Sequence, residues 1–214
     1  SFIAPKSWVT FVADGHPSQG RDHVNFGLDG EGEALGLYTP GVAPIDAVYF
    51  AAQALGVSEG RLLDGGANIV RFPAVASPAQ GNYLPLTNIV INEVLTHTDP
   101  PLEDAVELHN TGPGPVAVGG WYLSNTPGDF KRYRIEEGVV IPPGGYHVFY
   151  EGPLLAAMSG SSGYLFRAEG GEVYLSQADA AGNLTGHKAV ARFGPIENGT
   201  AIGRYVTSVG VEFV

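Results

Sequence analysis

A pattern of residues recurs along this chain at a nearly constant separation, and such a recurrence restricts the fold to repeated copies of one unit. Ile3-Ala4-Pro5-Lys6-Ser7-Trp8-Val9-Thr10-Phe11 and Ile141-Pro142-Pro143-Gly144-Gly145-Tyr146-His147-Val148-Phe149 share Ile, Pro, an aromatic and Phe, each 138 positions apart. Phe50 and Gly60-Arg61 are answered by Phe193 and Gly203-Arg204, 143 positions on. Between them Gly32-Glu33-Ala34-Leu35 resembles Gly171-Glu172-Val173-Tyr174 at a spacing of 139. Inserted loop residues absorb the drift, and the chain reads as two copies of one module.

The copies are unequal. Nothing upstream matches Ile89 to Ile135, because Ser1 already falls in the middle of the unit. Residues 1–84 therefore read as the C-terminal part of a first module plus linker, and residues 85–214 as a nearly complete second module. Pro73 to Leu86, with three prolines and a glycine, reads as that linker. Both ends are expected to be cuts through a longer array.

Each module reads as short strands. Ile89 to Leu95 is a buried-strand run, and Ala105 to His109 alternates with Val106 and Leu108 on one face. Trp121 to Leu123, Tyr146 to Tyr150, Tyr164 to Phe166, Glu172 to Leu175 and Lys188 to Phe193 supply the rest. Thr111-Gly112-Pro113-Gly114-Pro115 and Pro142-Pro143-Gly144-Gly145 punctuate them. Ala51 to Glu59 and Pro153 to Ser159 have room for a helical turn, but both read as loops. With 31 Gly and 16 Pro in 214 residues, long helices are disfavoured. The expected fold is all-β, an immunoglobulin-like β-sandwich in tandem with the first module incomplete.

Composition narrows the function. The 44% hydrophobic and 15% charged content excludes a disordered tail, and no apolar run is long enough for a membrane helix. A formal net charge of −11 disfavours nucleic acid, whose binding draws on Lys and Arg. The one basic stretch, Lys131-Arg132-Tyr133-Arg134, reads as a solvated strand with Lys131 and Tyr133 on one face. Absence of cysteine removes disulfides, zinc-thiolate sites and thiol nucleophiles.

Three stretches taken in order resemble the lamin tail domain, more closely its bacterial form. They are Ile89 to Val94, Ala105 to Asn110, and Val116-Ala117-Val118-Gly119-Gly120-Trp121-Tyr122-Leu123-Ser124-Asn125. Phe193-Gly194 and Ala201-Ile202-Gly203-Arg204-Tyr205-Val206-Thr207-Ser208 resemble that family's closing turn. The resemblance implies an immunoglobulin-like sandwich without catalytic residues. It also implies an accessory role in large secreted or surface proteins, beside hydrolase, nuclease or spore-coat-kinase-like domains.

The richest polar window is His97 to Asp104, flanked by Glu93 and Glu107. Hard cations take several oxygen ligands, so Glu93, Asp99, Asp104 and Glu107 are candidate Ca²⁺ ligands, against the alternative of a solvated loop. Alternation puts Glu93 on the face of Ile91 and Leu95, and Glu107 on that of Ala105 and His109. The same acids form only a weak glycosidase pair, having no cleft. The six histidines lack metal-binding spacing. Ser159-Gly160-Ser161-Ser162-Gly163 falls short of a nucleophile elbow, and Gly30-Glu31-Gly32 of a dinucleotide loop.

Trp121 and Tyr122 point to opposite faces, so one is core and the other open. Trp8 and Tyr146 occupy matching positions and are expected as core filler; Trp8 and Tyr122 are the alternative sugar-stacking platform. Arg61 and Arg204 are expected to tie down backbone carbonyls or a carboxylate.

The expected function is a non-catalytic structural, adhesion or scaffolding module of a larger secreted or surface protein, located outside the cell. One alternative is a Ca²⁺-dependent polysaccharide- or protein-binding accessory module of a secreted hydrolase. A second is a strand-complemented subunit of an extracellular assembly, self-associating through the incomplete first module. No nucleic-acid partner, membrane insertion or cofactor beyond Ca²⁺ is expected.

Overall fold

The computed structural model describes residues 3–5, 7–157 and 169–214. The chain divides into two units, Ser1–Tyr83 and Leu84–Val214.

Among its described residues the first unit holds three strand pairs. β1 (Val12–Ala13) runs parallel to β2 (His23–Val24). β3 (Gly32–Tyr38) and β4 (Pro44–Ala51) form an antiparallel hairpin, and β5 (Ser58–Arg61) pairs antiparallel with β6 (Ile69–Phe72). No helix forms between Ala51 and Glu59. The segment read as the linker is hydrogen-bonded to this unit at Asn82. Asn82 donates from its backbone N–H to Asp64 Oδ1 (3.0 Å) and from Nδ2 to the Arg61 carbonyl (3.0 Å). Among the described residues of this unit, Phe72 is the one buried hydrophobic side chain.

The second unit is a two-layer sandwich. In chain order it contains β7 (Leu84–Pro85), β8 (Ile89–Leu95), β9 (Ala105–Asn110), β10 (Val116–Ala117), β11 (Tyr122–Ser124), β12 (Tyr133–Arg134) and β13 (Val140–Ile141). β14 (Tyr146–Tyr150), α1 (Glu151–Ala157), β15 (Gly171–Ala178), β16 (Leu184–Phe193), β17 (Ala201–Thr207) and β18 (Gly210–Phe213) follow. One five-stranded sheet has the order β12-β11-β15-β16-β7 and the other β14-β9-β8-β17-β18, while β10 pairs with β13. The expected strand at Tyr164 to Phe166 and the Ser159 to Gly163 motif lie outside the described residues.

Sixteen buried side chains join the sheets, among them Ile89, Ile91 and Val94 from β8, Val106 and Leu108 from β9, and Val173 and Leu175 from β15. Each such side chain contributes about 1.5–3 kcal/mol on full burial. Asn110, fully buried, staples the Thr111–Pro115 turn. Its Nδ2 donates to the carbonyls of Gly114 (2.8 Å) and Ile141 (2.9 Å), and its Oδ1 accepts from the Gly112 N–H. A buried amide satisfied this way costs little, whereas an unpaired one is expensive.

Two expectations change. The segment read as a loop at Pro153 to Ser159 carries α1, which begins at Glu151. Its first N–H groups are capped by distant partners: Glu151 N–H donates to the Asp104 carbonyl (2.9 Å) and Gly152 N–H to Glu103 Oε2 (3.2 Å). Pro153 sits in the first turn, where its missing N–H is harmless, and Leu154 is buried in the core. Glu93 also leaves its assigned face. The β8–β9 register shifts between Ile91 and Glu93, so Val94, not Glu93, continues the inward face of Ile89 and Ile91.

Two hairpins share one geometry. In β3–β4, Glu33 faces Phe50 and Leu37 faces Asp46; in β15–β16, Gly171 faces Phe193 and Leu175 faces Ala189. Gly32 and Gly170 both sit at φ +109°. At each, a Cβ would lie 2.7 Å from the carbonyl oxygen of that Phe. Gly32 thus matches Gly170 and Glu33 matches Gly171, 138 positions apart, which corrects the spacing of 139 drawn from the glutamates. The backbone conformation, not the identity of the acid, sets the match. Arg61 faces Ile69 as Arg204 faces Phe213.

Candidate functional site

The acidic end of the sandwich is built by β8, β9 and the start of α1. Pairing of β14 with β9 sets Tyr150 opposite Ala105, and this brings Glu151 beside Asp104 and Glu103. Asp104 is buried, and burial pushes its carboxyl above the usual range, against a hydrogen bond from Thr98 Oγ1 (2.8 Å) that pulls it down. Glu151 is pushed up first by burial and then by the charges of Asp104 and Glu103. Glu103 lies in the polar window beside Asp104, whereas Glu151 carries no local sequence signal, since its proximity to Asp104 depends on strand register.

Three of the four candidate Ca²⁺ ligands take separate partners. Asp99 accepts from Asn198 Nδ2 (2.7 Å) and Glu107 from Asn92 Nδ2 (2.7 Å), while Asp104 holds Thr98. Glu93 is exposed and faces Glu107 across the strands. Among the described residues, no three His, Asp or Glu side chains stand together in a way that could hold a metal ion. Of the histidines, His23 meets a carboxylate, with Nδ1 2.7 Å from Asp14 Oδ2. Asp14 lies below its ordinary pKa, chiefly through the His16 backbone N–H and, more weakly, through His23.

Both Trp121 and Tyr122 are buried, against the expectation that one of them lies open. Tyr122 projects to the second face of its sheet, where Lys131 Nζ lies 5.5 Å from its ring and donates to the Gly182 carbonyl (2.6 Å). That face continues through Lys188, whose Nζ stands 3.7 Å from the Phe130 ring, and Tyr174, edge-on to Phe130 at 5.2 Å. Such contacts are cation–π and T-shaped pairs. Nothing local in the sequence announces this cover. Trp8 is 43% exposed and Tyr146 55% exposed, the latter stacked on His109 at 4.2 Å. Neither is core filler.

The basic stretch is not an open anion site. Arg132 Nη1 donates to Asn125 Oδ1, and Arg134 pairs with Glu137. Tyr133 is buried rather than solvated. Arg61 donates to the Gly66 carbonyl (2.6 Å) and Asp46 Oδ1 (2.8 Å), as an arginine fixed at a turn should. Among the described residues, no helix is long and apolar enough to cross a membrane.

No curated protein and no solved structure matches the chain. The family description of the Lamin Tail Domain matches residues 85–197, more than half of the 214. That span takes in β8 to β16, and so both layers of the sandwich. The chain belongs to the lamin tail domain family, as a β-sandwich module of a non-enzymatic fold.

Proposed function

We propose that this chain is a scaffolding or adhesion segment of a larger secreted or surface protein. In this reading one lamin-tail sandwich follows the C-terminal part of another, residues 1–83, in the bacterial form of the family. The observation that carries the reading is what recurs between the units. Gly32 and Gly170, Phe50 and Phe193, Leu37 and Leu175, and Arg61 and Arg204 keep their register. Beyond that arginine, the chemistry-bearing side chains of the second unit do not recur. Asp104 and Glu107 fall in the stretch without a counterpart, Ala34 stands where register would put Glu172, and Pro44 faces Tyr38 where Lys188 faces Ser176. Repetition that keeps core and turns while discarding polar groups suits a spacer.

Thermal unfolding of the chain with millimolar Ca²⁺, and separately with soluble glycan fragments, tests this reading. A ligand of the native state raises the midpoint by mass action. The expected midpoints are unchanged. A rise with either ligand would replace the scaffold by a ligand-binding accessory module. Labelling of intact producing cells with an antibody to the second unit checks the extracellular location.

A further inference from the structure

The first unit exposes what the second unit buries. Leu37 is 57% exposed and Leu35 42%, whereas Leu175 and Val173, their matches in hairpin register, are both at 0%. Phe11 is 53% exposed, and Phe149, 138 positions on, 7%. Two open apolar grooves of about 470 Å³ each run along this face, one past Phe11, Phe26 and Leu37, the other past Leu28, Phe50 and Ile69. The two grooves share Leu28, Leu35 and Val48, so the exposed side chains form one continuous apolar face.

In the second unit the matching face packs against Ile89, Ile91, Val106 and Leu108 in one core, and the matching edges are paired. β17 pairs with β8 through Ala201–Gly203, β15 pairs with β11 through Tyr174–Ser176, and β14 pairs with β9. In the first unit the matching stretches, Ser58–Gly60 of β5 and Gly36–Tyr38 of β3, pair on one side only among the described residues. Trp8 to Phe11, matching β14, forms no strand. Both edges and the apolar face between them are therefore open together. Matched side chains differ little in size: Leu35 for Val173, Leu37 for Leu175, Val48 for Ala191, Phe50 for Phe193. Two of these exchanges keep the side chain and two enlarge it by one or two carbons, while Asp46, in the place of Ala189, is a charged exception paired with Arg61 at 2.8 Å. Glu59, in the place of Ile202, already has Arg71 as partner at 2.6 Å.

We infer that residues 1–83 form an acceptor for the N-terminal half of a lamin-tail sandwich. The occupant is a polypeptide segment patterned like β8, β9 and β11, other than this chain's own copy, which is seated in the second unit. Strands of that segment pair with the β5 and β3 edges while its apolar side chains close the face, a form of strand complementation. The inference rests on the reading of residues 1–83 as part of that sandwich.

The test uses the whole 214-residue chain and, as probe, a fluorescein-labelled peptide with the sequence of residues 87–111, spanning β8 and β9. Saturable binding by anisotropy is expected, with slowed amide exchange at Ser58–Gly60. Leu37→Asp should weaken binding by about tenfold or more, because it places a charge in the closed face. Tyr49→Asp, on the opposite face of β4, should leave binding unchanged. Leu37→Asp also weakens the hairpin itself, so a second probe carries Ile91→Asp and Val94→Asp and should fail to bind the unaltered chain. No binding, or binding indifferent to both changes, overturns the inference. A homodimer in light scattering with protection on the same face overturns it too, by making a second copy the occupant. Fast exchange throughout Gly32–Ala51 overturns both this inference and the half-sandwich reading beneath it. Slow exchange there without binding overturns the inference alone.

Discussion

Leu37 and Leu175 are the same residue type in the same hairpin register, yet one is 57% exposed and the other fully buried. Among its described residues the first unit has the hairpins without strands that face them, and its apolar residues stay at the surface. The second has both halves and closes a sixteen-residue core. Hydrophobic periodicity therefore specifies which face a strand would bury, and only partner strands decide whether it does so.

Truncation at the two matched leucines gives the sharpest contrast. Leu175→Ala should destabilise the second unit by about 2–5 kcal/mol, since it leaves a cavity in a packed core. Leu37→Ala should change the first unit by about 0.5 kcal/mol or less, as surface changes do. Trp8 and Trp121 are the chain's two tryptophans, one per unit. Urea unfolding followed in Trp8→Phe and Trp121→Phe backgrounds therefore reports each unit separately. Equal losses at both positions would mean that the first face is already covered in solution.

The next test concerns what the units share. Gly32→Ala and Gly170→Ala each force a side chain into φ +109° and to 2.7 Å from a carbonyl oxygen. Each should cost about 1–3 kcal/mol from the backbone alone. Comparable losses in the two single-tryptophan backgrounds support one hairpin design used twice. A loss confined to Gly170 would confine that geometry to the second unit.

Much of the sandwich was legible in the sequence because its long strands carry their own pattern. Ile89 to Leu95, Ala105 to His109 and Tyr146 to Tyr150 fall within β8, β9 and β14. The two-residue strands β10, β12 and β13 are too short to show any period. α1 escaped because its caps come from Glu103 and Asp104, far upstream. One extra residue in β8 turned Glu93 away from the face of Ile91, a slip that alternation cannot anticipate. Tyr122 was half-read: its outward direction was legible, whereas its cover by Lys131 depends on a distant loop.

The smallest effect is in pH dependence, where the units should move in opposite directions. In the second unit Asp104 and Glu151 are raised above their ordinary values of 3.8 and 4.5. The folded state then binds protons more readily than the unfolded one. Their penalty is full above the raised values, and stability rises as pH falls through them. In the first unit Asp14 is lowered chiefly by the His16 N–H, and Glu59 chiefly by Arg71. Their contribution is present above the ordinary values and is lost as pH falls through the lowered ones. Asp179 has this second sign inside the second unit, through the Asn183 N–H, and blunts its gain at the acid end. As pH falls from neutrality through the raised values of Asp104 and Glu151 the Trp121 transition should therefore strengthen while the Trp8 transition holds, and once pH falls through the lowered values of Asp14 and Glu59 the Trp8 transition should weaken. Asp104→Asn keeps an oxygen to accept from Thr98 and removes the buried charge. It should raise the Trp121 midpoint at neutral pH, flatten its slope with pH, and leave the Trp8 transition in place. A fall in that midpoint would show that the carboxylate is needed in its charged form, which is the behaviour of a cation ligand.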